Sequence, residues 1–128
     1  MSWDVDLIDD RGHCEGSWNY THNTSRMIYA VLEDAGVDLG TWAEERPGWN
    51  YSNGEPVRRT WWDHLNGMSG PDGAAYLHTI AEALADDPER FRAMNPENGW
   101  GNYDTLLDLL REMARSVPEW PCKWEANG

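Results

Sequence analysis

The stretch YDTLLDLLREMARS, Tyr103–Ser116, decides the fold class. Tyr103, Leu106, Leu107, Leu110, Met113 and Ala114 recur at three- and four-residue intervals, and Val117 continues the stripe. Charged residues (Asp104, Asp108, Arg111, Glu112, Arg115) fill the positions between. That spacing puts these apolar side chains on one face of a helix, which must be buried against other apolar surface. Working back along the chain, Asp87-Pro88-Glu89 is a helix start: a cap, a proline at the first position and an acid at the positive end of the dipole. A short helix over 88–94 follows, with Phe91 and Met94 inward. Ser69-Gly70-Pro71-Asp72 starts another, running to about Ala85 on the stripe Tyr76, Leu77, Ile80, Ala81, Ala83 and Leu84. Pro56 is read as opening a helix to about Asn66, with Val57, Trp61, Trp62 and Leu65 on its apolar face and Gly67 as its stop. Asn23, Thr24 or Ser25 caps a first helix carrying Met27, Ile28, Val31, Leu32 and Ala35, which Gly36 ends.

The ends of the chain read differently. Trp3, Val5 and Leu7 alternate with acids, as in a half-buried strand. Asp9-Asp10-Arg11-Gly12 is a tight turn, and residues 13–20 return as the second strand of a hairpin. Residues 37–55 form a long loop, expected to be tacked down by Trp42, Trp49 and Tyr51 with a short helical turn at 39–45. Pro118 and Pro121 break the tail. The expected fold is therefore mainly α with a small N-terminal β element, in the α+β class. It is a compact bundle of about four helices in a single domain over 1–128: hairpin-like over 3–20, helical over 24–117 and an irregular tail over 118–128.

Composition excludes several function classes. The chain has 128 residues, with 23 acidic against 10 basic and a formal charge of −13. A conventional nucleic-acid binder needs a cationic face, so no direct nucleic-acid contact is expected. No apolar run is long enough to span a membrane. The start Met1-Ser2-Trp3-Asp4 lacks a basic region followed by an apolar run, so no secretory signal is expected. Nine Trp, five Tyr and one Phe are too many aromatics for a disordered acidic segment. Cys14 and Cys122 are then expected as reduced thiols, though they could pair if the termini meet. Asn19-Tyr20-Thr21 and Asn23-Thr24-Ser25 match the glycosylation pattern by chance on this reading.

Two polar segments stand out against the helical pattern. In the first, Asn19, Tyr20, Thr21, His22 and Asn23 precede a helix N-terminus with Arg26 in its first turn. Capping explains one or two of these residues, but not five polar ones in succession. The second, Asn95-Pro96-Glu97-Asn98-Gly99-Trp100-Gly101-Asn102-Tyr103-Asp104, also enters a helix, and its glycines allow close backbone approach. Together they offer ring faces and amides suited to a planar, hydrogen-bonding ligand such as a nucleotide base. The assignment is stacking by Tyr20, Trp100 and Tyr103. Asn19, Thr21, His22, Asn23, Asn98 and Asn102 hydrogen-bond, and Arg26 or Arg92 meets an anionic group. Arg58-Arg59-Thr60-Trp61-Trp62-Asp63-His64 is read as core packing, with one Trp as an interface anchor the alternative. His13, Cys14, His22 and Cys122 fit no standard zinc spacing, and no catalytic motif is present. No catalytic residue, metal or cofactor is assigned.

The segments Asn19-Tyr20-Thr21-His22-Asn23 and Asp87-Pro88-Glu89-Arg90-Phe91-Arg92-Ala93-Met94-Asn95-Pro96-Glu97-Asn98-Gly99-Trp100-Gly101-Asn102-Tyr103-Asp104 resemble a family of small tailed-phage and prophage proteins of largely uncharacterised function. The resemblance covers roughly residues 5–117. The tail after Pro118 departs from the more strand-like ending of that family, and the long loop reads as an insertion. The resemblance implies a phage origin and the cytoplasm of an infected bacterial host, and it assigns no catalytic residue. The leading expectation is a non-enzymatic accessory protein that binds a small polar, nucleotide-type ligand and sequesters a host-defence signal. The alternative is an acidic inhibitor docking on a host nucleic-acid enzyme, and the third is a small hydrolase. A homo-oligomer is compatible with each.

Overall fold

The structure, a computed structural model, describes residues 2–41, 51–52 and 55–128. Strand β1 (Ser2–Asp9) is the middle of a three-stranded antiparallel sheet, with β2 (Cys14–Thr21) on one side and β5 (Cys122–Asn127) on the other. Between them the chain forms α1 (Ser25–Asp34), a two-residue ladder of β3 (Tyr51–Ser52) and β4 (Glu55–Pro56), α2 (Trp61–Leu65), α3 (Gly70–Asp86), α4 (Pro88–Arg92) and α5 (Tyr103–Arg115). The expected α bundle with a small N-terminal β element is thereby corrected. Among the described residues, five α-helices accompany a sheet whose third strand comes from the C-terminal residues. No described helix is long and apolar enough to cross a membrane.

The irregular tail is the main correction. Cys122, Trp124 and Ala126 are buried while Lys123, Glu125 and Asn127 face solvent, the alternation of a strand with one covered face. Prolines 118 and 121 end before this strand begins, so they interrupt none of its ladder. Strand β5 aligns Val5 with Ala126 and Leu7 with Trp124, while β2 aligns Val5 with Trp18 and Trp3 with Tyr20. The outer edge of β5 is also occupied. Gly67 N–H donates to Trp124 O at 2.8 Å, and Trp124 N–H donates to Met68 O at 3.0 Å. Ala126 N–H donates to Asn66 Oδ1 at 2.9 Å. Residues 66–69 thus act as a partial fourth strand over backbone groups that would otherwise invite pairing.

The second correction concerns α2. Pro56 lies in β4 opposite Tyr51, and the helix begins five residues later, at Trp61. A reciprocal capping box fixes that start: Thr60 Oγ1 accepts from Asp63 N–H, and Asp63 Oδ2 accepts from Thr60 N–H. Val57 therefore precedes the helix and is exposed rather than part of its apolar face. No helix forms at 39–41, and Trp42, Trp49 and the rest of the supposed helical turn lie outside the described residues, as does the Tyr51 side chain. The remaining helices lie within a few residues of their sequence-based bounds, with Asn102, Ser69 and Thr60 side chains capping α5, α3 and α2.

Helices α3 and α5 pack on each other and on the inner face of the sheet. Trp3, Trp61, Trp124, Tyr103 and Phe91 are the largest fully buried side chains. Two of the three indole N–H groups this deep have a partner, and Trp3 Nε1 has none among the described residues. Trp61 Nε1 donates to Ser25 Oγ at 3.1 Å, and Trp124 Nε1 donates to Gly70 O at 3.0 Å. Trp61 packs edge-on against Trp3, with ring centroids 5.1 Å apart. The core reading of Trp61 follows directly, while Trp62 is half-buried.

The two cysteines are free and flank β1: Cys14 lies opposite Ile8 and Cys122 opposite Asp9. Two strand spacings separate them by about 10 Å, beyond the roughly 7 Å that a disulfide can span. Burial pushes the Cys122 thiol up, and the nearby Glu15, Asp10 and Asp9 carboxylates add to it. A thiol reagent is therefore expected to titrate one fast group, exposed Cys14, in the native protein. Cys122 should react only at the rate of unfolding. Two fast thiols would contradict the placement of β5.

Candidate functional site

The two polar segments meet at one end of the sheet. Strand β2 delivers Asn19, Tyr20 and Thr21, and its last residue caps a single 3-10 turn (His22–Thr24) that leads into α1. Thr21 Oγ1 accepts from Asn23 N–H at 3.2 Å. The loop between α4 and α5 approaches from the other side and holds its own shape. Asn98 Oδ1 accepts from Trp100 N–H at 3.0 Å, Asn95 Oδ1 from Tyr103 N–H at 2.8 Å, and Asn102 Oδ1 from Thr105 N–H at 2.8 Å. Three of the loop's asparagines are thus occupied in folding it, a role that short amide side chains fill well in turns.

Four contacts join the segments. Asn102 N–H donates to the Tyr20 hydroxyl oxygen at 2.9 Å. Asn23 Nδ2 donates to Trp100 O at 3.4 Å. Arg26 Nε donates to Met94 O at 2.9 Å, and one of its terminal nitrogens contacts the same carbonyl. Gly101, at φ 91°, lies directly against Thr21 and Thr24. The result is a cleft of about 620 Å3, lined on the sheet side by Ser2, Asn19, Tyr20 and Thr21 and opposite by Asn23 and Trp100. A second recess of about 660 Å3 adjoins it through Asn23 and includes Arg26, Asn95, Glu97 and Asn98. Trp100 is 70% exposed. A large apolar ring left in water beside converging amides is more informative than a scattered surface residue.

Not every assigned residue belongs to this cleft. Tyr103 is 1% exposed, its hydroxyl donates to Leu84 O at 2.8 Å, and its ring is nearly parallel to Phe91. It is core and presents no face to a ligand. His22 turns to the other side of the 3-10 turn, its ring 4.8 Å from that of Trp62. Arg92 pairs with Asp104 at 2.9 Å, lies over the Tyr103 ring and lines neither recess. That pairing holds the Asp104 carboxyl below its ordinary range and the Arg92 guanidinium above its own. Asn102 is a helix cap, and Asn98 reaches only the second recess. Trp18, which precedes the first polar segment, faces inward toward Trp124, with centroids 5.9 Å apart. Asn19, Tyr20, Thr21, Asn23 and Trp100 come together, with Arg26 at the margin. The sequence reading missed Ser2, which is brought in by pairing with Thr21, and Asn95 and Glu97, which lay in the quoted segment without a role.

Among the described residues no group of three or more His, Cys, Asp or Glu is arranged to hold a metal ion. No protein family, curated protein or solved structure matches the chain.

Proposed function

We propose that the cleft between β2 and the α4–α5 loop binds a small polar ligand of nucleotide type through its base. The observation that carries this reading is the union of two polar-aromatic segments, 77 and 82 residues apart at their hydrogen bonds, around one exposed indole. Trp100 offers a flat face for stacking. The Asn19 amide carries two donor hydrogens and an acceptor, and Asn23, with one N–H given to Trp100 O, keeps one donor hydrogen and its acceptor, so they can read a heterocycle edge. The Tyr20 hydroxyl accepts from Asn102 and retains its own proton for donation. This lining is hydroxyl and amide rather than carboxylate or imidazole, a chemistry suited to holding a ligand rather than converting it. On the phage resemblance, the ligand is a host-defence signal and the role is sequestration.

Calorimetry against nucleobases, nucleosides, cyclic nucleotides and ADP-ribose-type compounds tests the proposal. Trp100→Ala should weaken the binding compound about tenfold to hundredfold, the loss of one base–aromatic stack. Its stability should shift by no more than about 0.5 kcal/mol, because the side chain is mostly in water. No heat with any of these compounds would overturn the reading. The acidic residues, by contrast, single out no docking face. Asp4, Asp6 and Glu125 lie on the outer sheet face, while Asp72, Glu82, Asp108 and Glu112 are exposed on the helices.

A further inference from the structure

The charges around the cleft limit what it can accept. Of its lining residues among those described, none is an Asp, Glu, Lys or Arg. The residue facing Asn19 across the β1–β2 ladder is Asp4, on the same outer face of the sheet and exposed. Facing pairs in such a ladder have Cα atoms about 4.5–5.5 Å apart, so Asp4 stands beside Asn19, just outside the cleft lining. The adjoining recess holds one cation and one anion, Arg26 and Glu97.

Arg26 is not arranged as an anion clamp. Its Nε and one terminal nitrogen converge on the Met94 carbonyl, which occupies one of the two edges a guanidinium uses for bidentate recognition of phosphate. The neighbouring arginines are committed too. Arg90 is bonded to Asp34 at 2.5 Å and Arg92 to Asp104 at 2.9 Å. The amino terminus of the helical segment adds about half a positive charge, and Thr21 already takes one of its N–H groups. Against this stand Asp4, Glu97 and a chain whose formal charge is −13. Among the described residues, a polyphosphate entering here would meet only the remaining edge of Arg26 in return for its lost water and counterions.

We infer that the cleft recognises an uncharged, nucleoside-type ligand by its heterocycle and ribose, and that it discriminates against each added phosphate. This deepens the reading above and rests on it. The amide-and-hydroxyl lining satisfies both edges of a neutral heterocycle, and Trp100 covers its face. The adjoining recess, lined in part by Asn95 and Asn98, is large enough for the sugar.

The test is calorimetry with the whole chain against a base, its nucleoside and the corresponding mono- and triphosphates, at low and at physiological salt. Neutral oligosaccharides are included. The nucleoside should bind at least as well as the monophosphate, and the triphosphate about tenfold or more weaker at low salt, a gap that narrows as salt screens the repulsion. Asp4→Asn should narrow the same gap by strengthening the phosphorylated compounds selectively. Affinity that rises with phosphate number would overturn this inference while leaving the ligand-binding reading standing. Binding of an oligosaccharide but of no nucleoside would overturn the heterocycle assignment. Silence across the whole panel would overturn the ligand-binding reading itself.

Discussion

Replacing Trp124 by alanine is expected to remove about 3–5 kcal/mol of stability, the range for deleting a fully buried large aromatic side chain. Small domains are held by only about 5–15 kcal/mol in total, so the variant should unfold early in a urea titration. Three losses coincide at this position. The indole is 0% exposed and fills the space between the sheet and α3, against Trp18. Its Nε1–H donates to the Gly70 carbonyl in the first turn of α3, which accepts it as an additional hydrogen bond. It also fits against a glycine: a Cβ on Gly73 would stand 2.1 Å from Trp124 Cδ1, so helix and ring meet with no side chain between. Alanine leaves a cavity, removes this hydrogen bond, and loosens the strand that protects one side of β1. The urea midpoint should fall while the slope stays near that of the parent. A loss under about 1 kcal/mol would show that β5 is not seated in the core as described.

Gly101→Ala is expected to cost about 2–4 kcal/mol and to abolish ligand binding with it, from a left-handed backbone penalty and overpacking. The φ of 91° already disfavours a Cβ. That Cβ would also lie 2.5 Å from Thr21 Cγ2 and 3.0 Å from Thr24 Cγ2. Thr24 is fully buried and has nowhere to move. The strain is relieved only if the 99–102 step lifts from β2, which breaks the bond between Asn102 and Tyr20 and opens the cleft. Gly99→Ala is the control. Its φ of 76° carries the same backbone penalty, but a Cβ there meets nothing within 4 Å. Urea titration and calorimetry on both variants separate contact from conformation. Equal losses in the two would show that the close approach at Gly101 does not shape the site.

Several elements were legible because their signals are local. The α5 stripe named its own buried face, and that face already included Tyr103. Assigning the same ring to a ligand contradicted the periodicity, and burial won. Strand β5 carried a readable alternation from Cys122 to Asn127, overshadowed by the two prolines before it. Thr60 and Asp63 signalled the true start of α2 more specifically than Pro56, because a reciprocal cap satisfies two orphan N–H groups whereas a proline only tolerates the position. His22 gave no such clue. It is flanked by residues that do line the cleft, and the direction of the 3-10 turn alone sends its ring to Trp62.

The sequence by itself determined the helical periodicities, the N-terminal hairpin, the acidic balance that disfavours a conventional nucleic-acid-binding surface, and the presence of two polar segments at helix starts. These follow from spacing and composition, which act over a few residues. Only the tertiary structure decided that the segments meet, that Trp100 stays in water while Tyr103 does not, and that the last strand completes the sheet. Those outcomes depend on contacts such as Asn102 to Tyr20, 82 residues apart, and Trp124 to Gly70, 54 apart. Such pairings are set by how whole elements pack against one another, and no local pattern in the chain encodes them.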